Sequence, residues 1–174
     1  MKFIRQILLI ILLFFIPHHL KSDEIKKLPN EHEYNFYSGI FDFSDEGKKS
    51  TIIGLQHQNE NLTRESFLGT LSPVTGALIT ADNAAYFYTG IQAQYKIGKI
   101  NLTPSFTPGI YQQGDGKDLG HPIEFKSEVQ LSLNLFENSQ LGMSYNHISN
   151  ASLGDKNPGA VSYTHQTLPT ILLV

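Results

Sequence analysis

Between residues 122 and 136 the chain alternates with a period of two. Ile123, Phe125, Val129, Leu131, Leu133 and Leu135 fall on one face, and Glu124, Lys126, Glu128, Gln130, Ser132 and Asn134 on the other. Successive side chains leave a strand on opposite faces, whereas a helix groups every third or fourth residue, so this pattern predicts a strand. Residues 86–97 repeat it, with Phe87, Ile91, Ala93, Tyr95 and Ile97 set against Gln92, Gln94 and Lys96. Residues 100–111 set Ile100, Leu102, Phe106 and Ile110 against Asn101, Thr103, Ser105 and Thr107. Pro104 and Pro108 make that strand irregular or close to a rim, because proline withholds a ladder donor. Noisier strands are expected at 33–43, 51–58, 66–80 and 139–149, separated by Gly-rich and polar clusters such as 44–47, 59–61, 81–83 and 114–118. The pattern therefore gives seven strands and no helix after residue 25.

Several of these strands exceed the five or six residues usual in soluble sheets. Strands of roughly 9 to 11 residues or more, alternating throughout, suit a membrane barrel, with the apolar face toward lipid and the Gln, Asn, Ser and Glu face filling the interior. Lys2 and Arg5 precede an apolar run from Ile7 to Ile16, followed by Pro17 and a polar stretch to Ser22. That run is too short to span a bilayer as a helix, and a basic start with a short apolar core reads as a secretory signal, residues 1–22. The expected architecture is an all-β, eight-stranded antiparallel outer-membrane β-barrel occupying residues 23–160. A competing reading is a soluble periplasmic barrel that binds a lipid inside.

Composition narrows the chemistry. The 174 residues contain no Cys, which excludes a disulfide scaffold, a thiolate metal site and a Cys nucleophile. A net charge of −3 offers no electrostatic footprint for nucleic acid. His32, His57 and His121 sit at no ligand-like spacing, so no metal and no cofactor are expected. The segment Gly114–Gly120 lacks the Gly-Lys-Ser/Thr ending of a phosphate loop and reads as an extended turn. Glu124, on the polar face, is expected to join an interior charge network.

His147 and Ser149 are the residues that point to a reaction. Two apart on one strand, they face the same side with Cβ atoms roughly 7 Å apart, close enough for imidazole to act as base on the hydroxyl if the strand bends. Their face also carries Tyr145, Met143 and Leu141, the apolar side of a barrel. A nucleophile aimed outward from a membrane barrel meets lipid, so the orientation suggests a lipid ester as substrate. The competing interpretation makes both ordinary polar residues where a strand enters a loop.

Four segments carry a family resemblance: Gly114-Asp115-Gly116-Lys117-Asp118-Leu119-Gly120, Pro122-Ile123-Glu124-Phe125, His147-Ile148-Ser149-Asn150-Ala151 and Asn157-Pro158-Gly159. Together they resemble the acyloxyacyl hydrolase family of PagL-type lipid A 3-O-deacylases, over roughly residues 33–160. The resemblance implies an eight-stranded outer-membrane barrel that hydrolyses an ester-linked acyl chain of lipid A, with lipopolysaccharide as partner and Gram-negative localisation. It makes Ser149 the nucleophile, His147 the general base and Asn150 an oxyanion donor. Ser152 stands where the deacylases carry a Gly of the same hole, leaving its backbone amide as donor. The acid of the triad is expected about twelve residues after the nucleophile, at Val161, which cannot serve; Asp155 is a stand-in whose simpler reading is a loop position. The alternative function is a non-catalytic small outer-membrane barrel with a structural or binding role. A homodimer and a calcium requirement are left open.

Residues 161–174 break the alternation, place Pro169 where a closing strand should run, and resemble translated transposon-adapter sequence. They are expected to be a non-native tail replacing the eighth strand. That would leave seven strands, an open barrel and an inactive chain.

Overall fold

The computed structural model describes residues 32–136 and 139–169; the segment read as a signal lies outside them. Ten strands follow one another: β1 His32–Phe41, β2 Ser50–Asn59, β3 Arg64–Ser66, β4 Gly69–Thr80, β5 Ala85–Ala93, β6 Tyr95–Ile97, β7 Ile100–Gln112, β8 Ile123–Phe136, β9 Ser139–Ser149 and β10 Ala160–Pro169. One 3-10 turn, Glu60–Leu62, is the only helical element among the described residues. All pairings are antiparallel, running β2-β1-β10-β9-β8-β7-β5-β4, and β4 pairs back onto β2. With β6 continuing the line of β5 and β3 adding a short hairpin to β4, the result is a closed eight-stranded barrel without an unpaired long edge.

All seven predicted strands form. The prolines of β7 explain why one is interrupted. Pairing of β7 with β8 is continuous from Ile100↔Leu133 to Ile110↔Ile123, so Pro104 and Pro108 withhold their missing donors on the β5 side. On that side the ladder skips from Tyr88↔Gly109 to Ile91↔Phe106, and it lapses again after Gln92↔Ser105, where Pro104 follows and Gln94 separates β5 from β6.

The expectation of a seven-stranded, open barrel is corrected. β10 pairs with β9 from Ala160↔Ile148 to Pro169↔Ser139, and with β1 from Phe36↔Thr167 to Ile40↔Tyr163. Alternation does continue past residue 160: Ala160, Ser162 and Thr164 are buried, while Tyr163 and His165 are exposed. The polar inward residues are small and the outward ones large, as a narrow lumen requires. Pro169 is the last residue of the strand, where a missing donor interrupts nothing further.

The outer wall is apolar, with Phe36, Ile53, Phe87, Phe106, Leu131 and Met143 all exposed. The lumen is filled. Near the end formed by segments 42–49, 81–84, 113–122 and 150–159 the filling is largely apolar, including Phe41, Tyr86, Tyr111, Leu119 and Ile148. Further along, Tyr88 donates its one proton to Gln56 at 3.0 Å and so accepts from Tyr37 across 3.1 Å, and Gln92 donates to Gln58. The interior charge network consists of Lys126 and Glu128, 3.1 Å apart, with the ammonium 4.0 Å above the Tyr88 ring. Glu124 does not join it: its carboxylate is fully buried, and neither oxygen has a hydrogen-bond partner among the described residues. Lys126 instead reaches along β8 toward Glu128, away from the loop end.

Gly54 faces this interior because the Tyr37 ring occupies the space its side chain would take. A Cβ there would lie 2.1 Å from the ring. Gly54→Ala is expected to destabilise the barrel by about 1–3 kcal/mol through overpacking. Thermal unfolding of the detergent-refolded protein checks this, and an unchanged melting temperature would contradict it.

Candidate active site

The last turn of alternation in β9 places His147 and Ser149 on the outer face, beneath the loop end. Ser149 pairs across with Phe125 of β8, whose ring stacks on Phe106 at 6.0 Å. His147 lies between Ser127 of β8 and Val161 of β10. One step further down the wall, Tyr145 and Tyr163 each meet the ring of Phe43 edge-on, at 6.2 and 5.6 Å. The two polar residues thus sit at the rim of an apolar surface.

His147 leans toward β10. Its Nε2 lies 2.9 Å from where a Cβ of Gly159 would be, so only glycine leaves room for the ring in that position. Gly159 also has φ of 62°, a left-handed conformation that disfavours a side chain. It stands one residue beyond the Ala160↔Ile148 pair, level with Ser149, so Nε2 is turned toward the height of the hydroxyl. Among the described residues neither side chain has a hydrogen-bonded protein partner, and the dyad contact itself is not closed. Such contacts commonly tighten only when substrate is bound.

Directly opposite His147, the position expected for the triad acid is Val161. Asp155 is exposed in the 150–159 segment and forms no ion pair among the described residues. Asp42, one strand further on, is occupied. It is 2.5 Å from Lys117 Nζ, accepts from the Val161 N–H at 3.4 Å, and its own N–H donates to Ser162 Oγ.

Asn150 points the other way from Ser149, into the lumen, and is fully buried. Its Nδ2 donates to the carbonyls of Leu119 and Lys156 at 2.9 and 2.8 Å, and its Oδ1 accepts from the Ser152 N–H at 2.9 Å. Its backbone N–H donates to Asn157 Oδ1 at 3.0 Å. The donors expected from Asn150 and Ser152 are therefore engaged within the loop. Asn157, which sequence reasoning noted only as part of a motif, is exposed and has its carbonyl oxygen pinned by Asn150. Its Nδ2 has no hydrogen-bond acceptor among the described residues. No regular pattern could have singled it out, since it lies in a loop.

Ala151 and Ser152 have φ of 52° and 65°, and the Leu153 N–H closes the turn on the Asn150 carbonyl at 3.0 Å. Two successive left-handed residues form a turn that favours Gly or Asn. Ser152→Gly is expected to stabilise the protein by about 1 kcal/mol, read as a raised melting temperature; a lowered one would contradict it.

The loops brace each other. Lys156 Nζ is 2.5 Å from Asp118 and, with the Gly120 N–H second, holds that carboxyl below its usual range. The folded-state pKa is lowered, so the tie is complete above the ordinary carboxylate pKa and is lost as pH falls through the lowered one. Among the described residues no three His, Asp or Glu side chains converge as a metal cluster.

A family model described as lipid A 3-O-deacylase (PagL) matches residues 37–165. A sequence search of curated proteins gives no match. In fold, the chain is similar to the crystal structure of the outer membrane enzyme PagL, at 16% identity and a TM-score of 0.58, covering 80% of this chain and 99% of that one. It is also similar to Neisserial surface protein A, at 8% identity and 0.52, covering 80% and 97%. A de novo designed transmembrane β-barrel matches at 9% identity and 0.52, covering 80% and 95%.

Proposed function

The chain belongs to the lipid A 3-O-deacylase family and is a β-barrel of the bacterial outer membrane, and on that basis we propose that it is a serine esterase acting on an ester-linked acyl chain of lipid A. The observation that carries this reading is the outward placement of His147 and Ser149 at the rim of the apolar wall. Polar side chains on a lipid-facing surface are costly unless they serve the site. Longer loops mark the outer side of such barrels, so the end bearing segments 113–122 and 150–159 faces outward, where lipid A resides.

In the proposed reaction His147 Nε2 takes the Ser149 proton as Oγ attacks the ester carbonyl carbon. The tetrahedral oxyanion collapses, the bond to the sugar oxygen breaks, and His147 returns the proton to that leaving alcohol. Water then attacks the acyl-enzyme by the same route and releases the fatty acid. We assign the oxyanion donor to Asn157 Nδ2, which has no acceptor among the described residues; the reading is supported by the Asn150 N–H, next to Ser149 in sequence, holding the Asn157 side-chain carbonyl. Asn157→Ala is expected to lower kcat by about 10²-fold or more and, by unpairing the Asn150 N–H, to lower the melting temperature modestly, so rates are compared well below both melting temperatures.

Val161 opposite His147 favours the second reading, a non-catalytic barrel, because nothing in that position orients the imidazole. Incubating the detergent-refolded chain with lipid A and following fatty acid by mass spectrometry separates the two. Release that Ser149→Ala lowers in this chain, and abolishes once a carboxylate is placed at 161, supports the esterase; no release from the folded barrel, even with that carboxylate, supports the second reading.

We also propose that residues 161–174 replace the native closing-strand sequence, the part within β10 still completing the barrel. The valine at the acid position and the adapter-like sequence support this. Reading the DNA around codon 160 in an independent clone tests it, and the same tail found there would end it.

A further inference from the structure

His32 and His57 are 25 residues apart, and their spacing suggests no shared role. The β1–β2 register brings them together. Tyr34 pairs with His57 and His32 with Asn59, which makes the two histidines diagonal neighbours on the outer face, at the end of the barrel away from the candidate active site. His32 Nδ1 and His57 Nε2 are 2.9 Å apart, one donating its proton to the other. Ring centroids 5.1 Å apart with planes 24° from parallel mean that the rings meet edge to edge, nitrogen facing nitrogen. The Tyr34 ring, 4.9 Å from His57, backs the pair. Both imidazoles are part-exposed at the strand ends, open to ions from solution.

We propose that this pair is a binding site for a divalent transition metal of the zinc or copper class. Neutral imidazole is a favoured ligand of both ions. Two Zn–N bonds of about 2.05 Å at a tetrahedral angle hold their nitrogens roughly 3.3 Å apart. The rings therefore need to separate by only a few tenths of an ångström and turn, as the ion takes the place of the shared proton, which moves to the far nitrogen of the donating ring (His32 Nε2 or His57 Nδ1) and keeps both imidazoles neutral. The two histidines are the protein ligands, and water completes the shell. The bound ion cross-links β1 to β2 at this rim, so it stabilises the folded barrel by binding it in preference to the unfolded chain. Because the metal competes with protons for the same lone pairs, uptake weakens as the imidazoles protonate.

Titration of the tag-free, metal-stripped, refolded full chain with Zn²⁺ near neutral pH tests the site by calorimetry. One ion per chain is expected, with a raised melting temperature. His32→Ala and His57→Ala are each expected to weaken binding by about tenfold or more, whereas His121→Ala leaves it unchanged. Should either variant fail to refold, Cu²⁺ bound to the unaltered chain gives a second readout, with two imidazole nitrogens expected in its electron paramagnetic resonance spectrum. Absence of uptake, uptake that survives the His32→Ala/His57→Ala double change, or a spectrum with one nitrogen or none would overturn the proposal. None of these outcomes depends on esterase activity.

Discussion

Val161→Glu is expected to raise kcat/KM for lipid ester hydrolysis by about 10²–10⁴-fold. Val161 pairs directly with His147 across the β9–β10 ladder, where directly opposite Cβ atoms lie about 4.5–5.5 Å apart. A carboxylate on that face can accept from the imidazole Nδ1–H, leaving Nε2 as the base. It would also stabilise the imidazolium that forms during attack. The tautomer matters more than the charge, since an acid replaced by its amide in a serine triad keeps its geometry yet loses about 10⁴ in rate by holding the imidazole in the wrong tautomer. Nearby Asp42 opposes the new carboxylate only weakly, because Lys117 already neutralises it. The check is initial-rate kinetics on refolded chains with equal melting temperatures. A rate unchanged by Val161→Glu would mean that His147 is not the base or that its ring is held otherwise.

Ser149→Ala is expected to have a small effect in the chain as it stands and a very large one once Val161→Glu is present. Triad members act as a unit. In a well-studied serine triad, losing the nucleophile costs about 2 × 10⁶ in kcat, and losing the orienting acid alone about 3 × 10⁴. The ratio leaves only about 10²-fold for the nucleophile to lose where the acid is already absent. In the Val161→Glu background the same substitution should cost about 10⁴–10⁶. His147→Ala should follow Ser149→Ala in both backgrounds. Equal losses with and without the carboxylate would show that position 161 does not communicate with the dyad.

Much of this molecule could be read before its coordinates. Period-two alternation located seven strands, because one face must satisfy a lipid surface and the other a filled lumen. The same parity put His147 and Ser149 outward together. It also assigns Asn150 to the opposite face, so the inward course of its side chain was legible, and with it the difficulty of using that side chain on an outward nucleophile. The eighth strand was missed because Pro169 and the change of composition outweighed the short alternation of Ser162, Tyr163, Thr164 and His165. The split of β5 from β6 is visible only when the prolines of β7 are aligned with their neighbour. Asn157, Gly159 and the His32–His57 pair depend on loop course and on register between distant segments. Local patterns carry neither. Glu124 was placed correctly in the interior, but the charge network there joins Lys126 to Glu128 without it.

The central claim is that Ser149, activated by His147, is a nucleophile facing the membrane. It is tested most directly by covalent trapping. The refolded chain, in detergent micelles, is treated with a lipid-like phosphonate that esterifies activated serines, then digested, and the modified peptide is sequenced by mass spectrometry. The account predicts one adduct, on Ser149, absent in Ser149→Ala, slowed in His147→Ala and faster in Val161→Glu. An adduct on Ser127 or Ser152, or no adduct in the Val161→Glu protein, would contradict it.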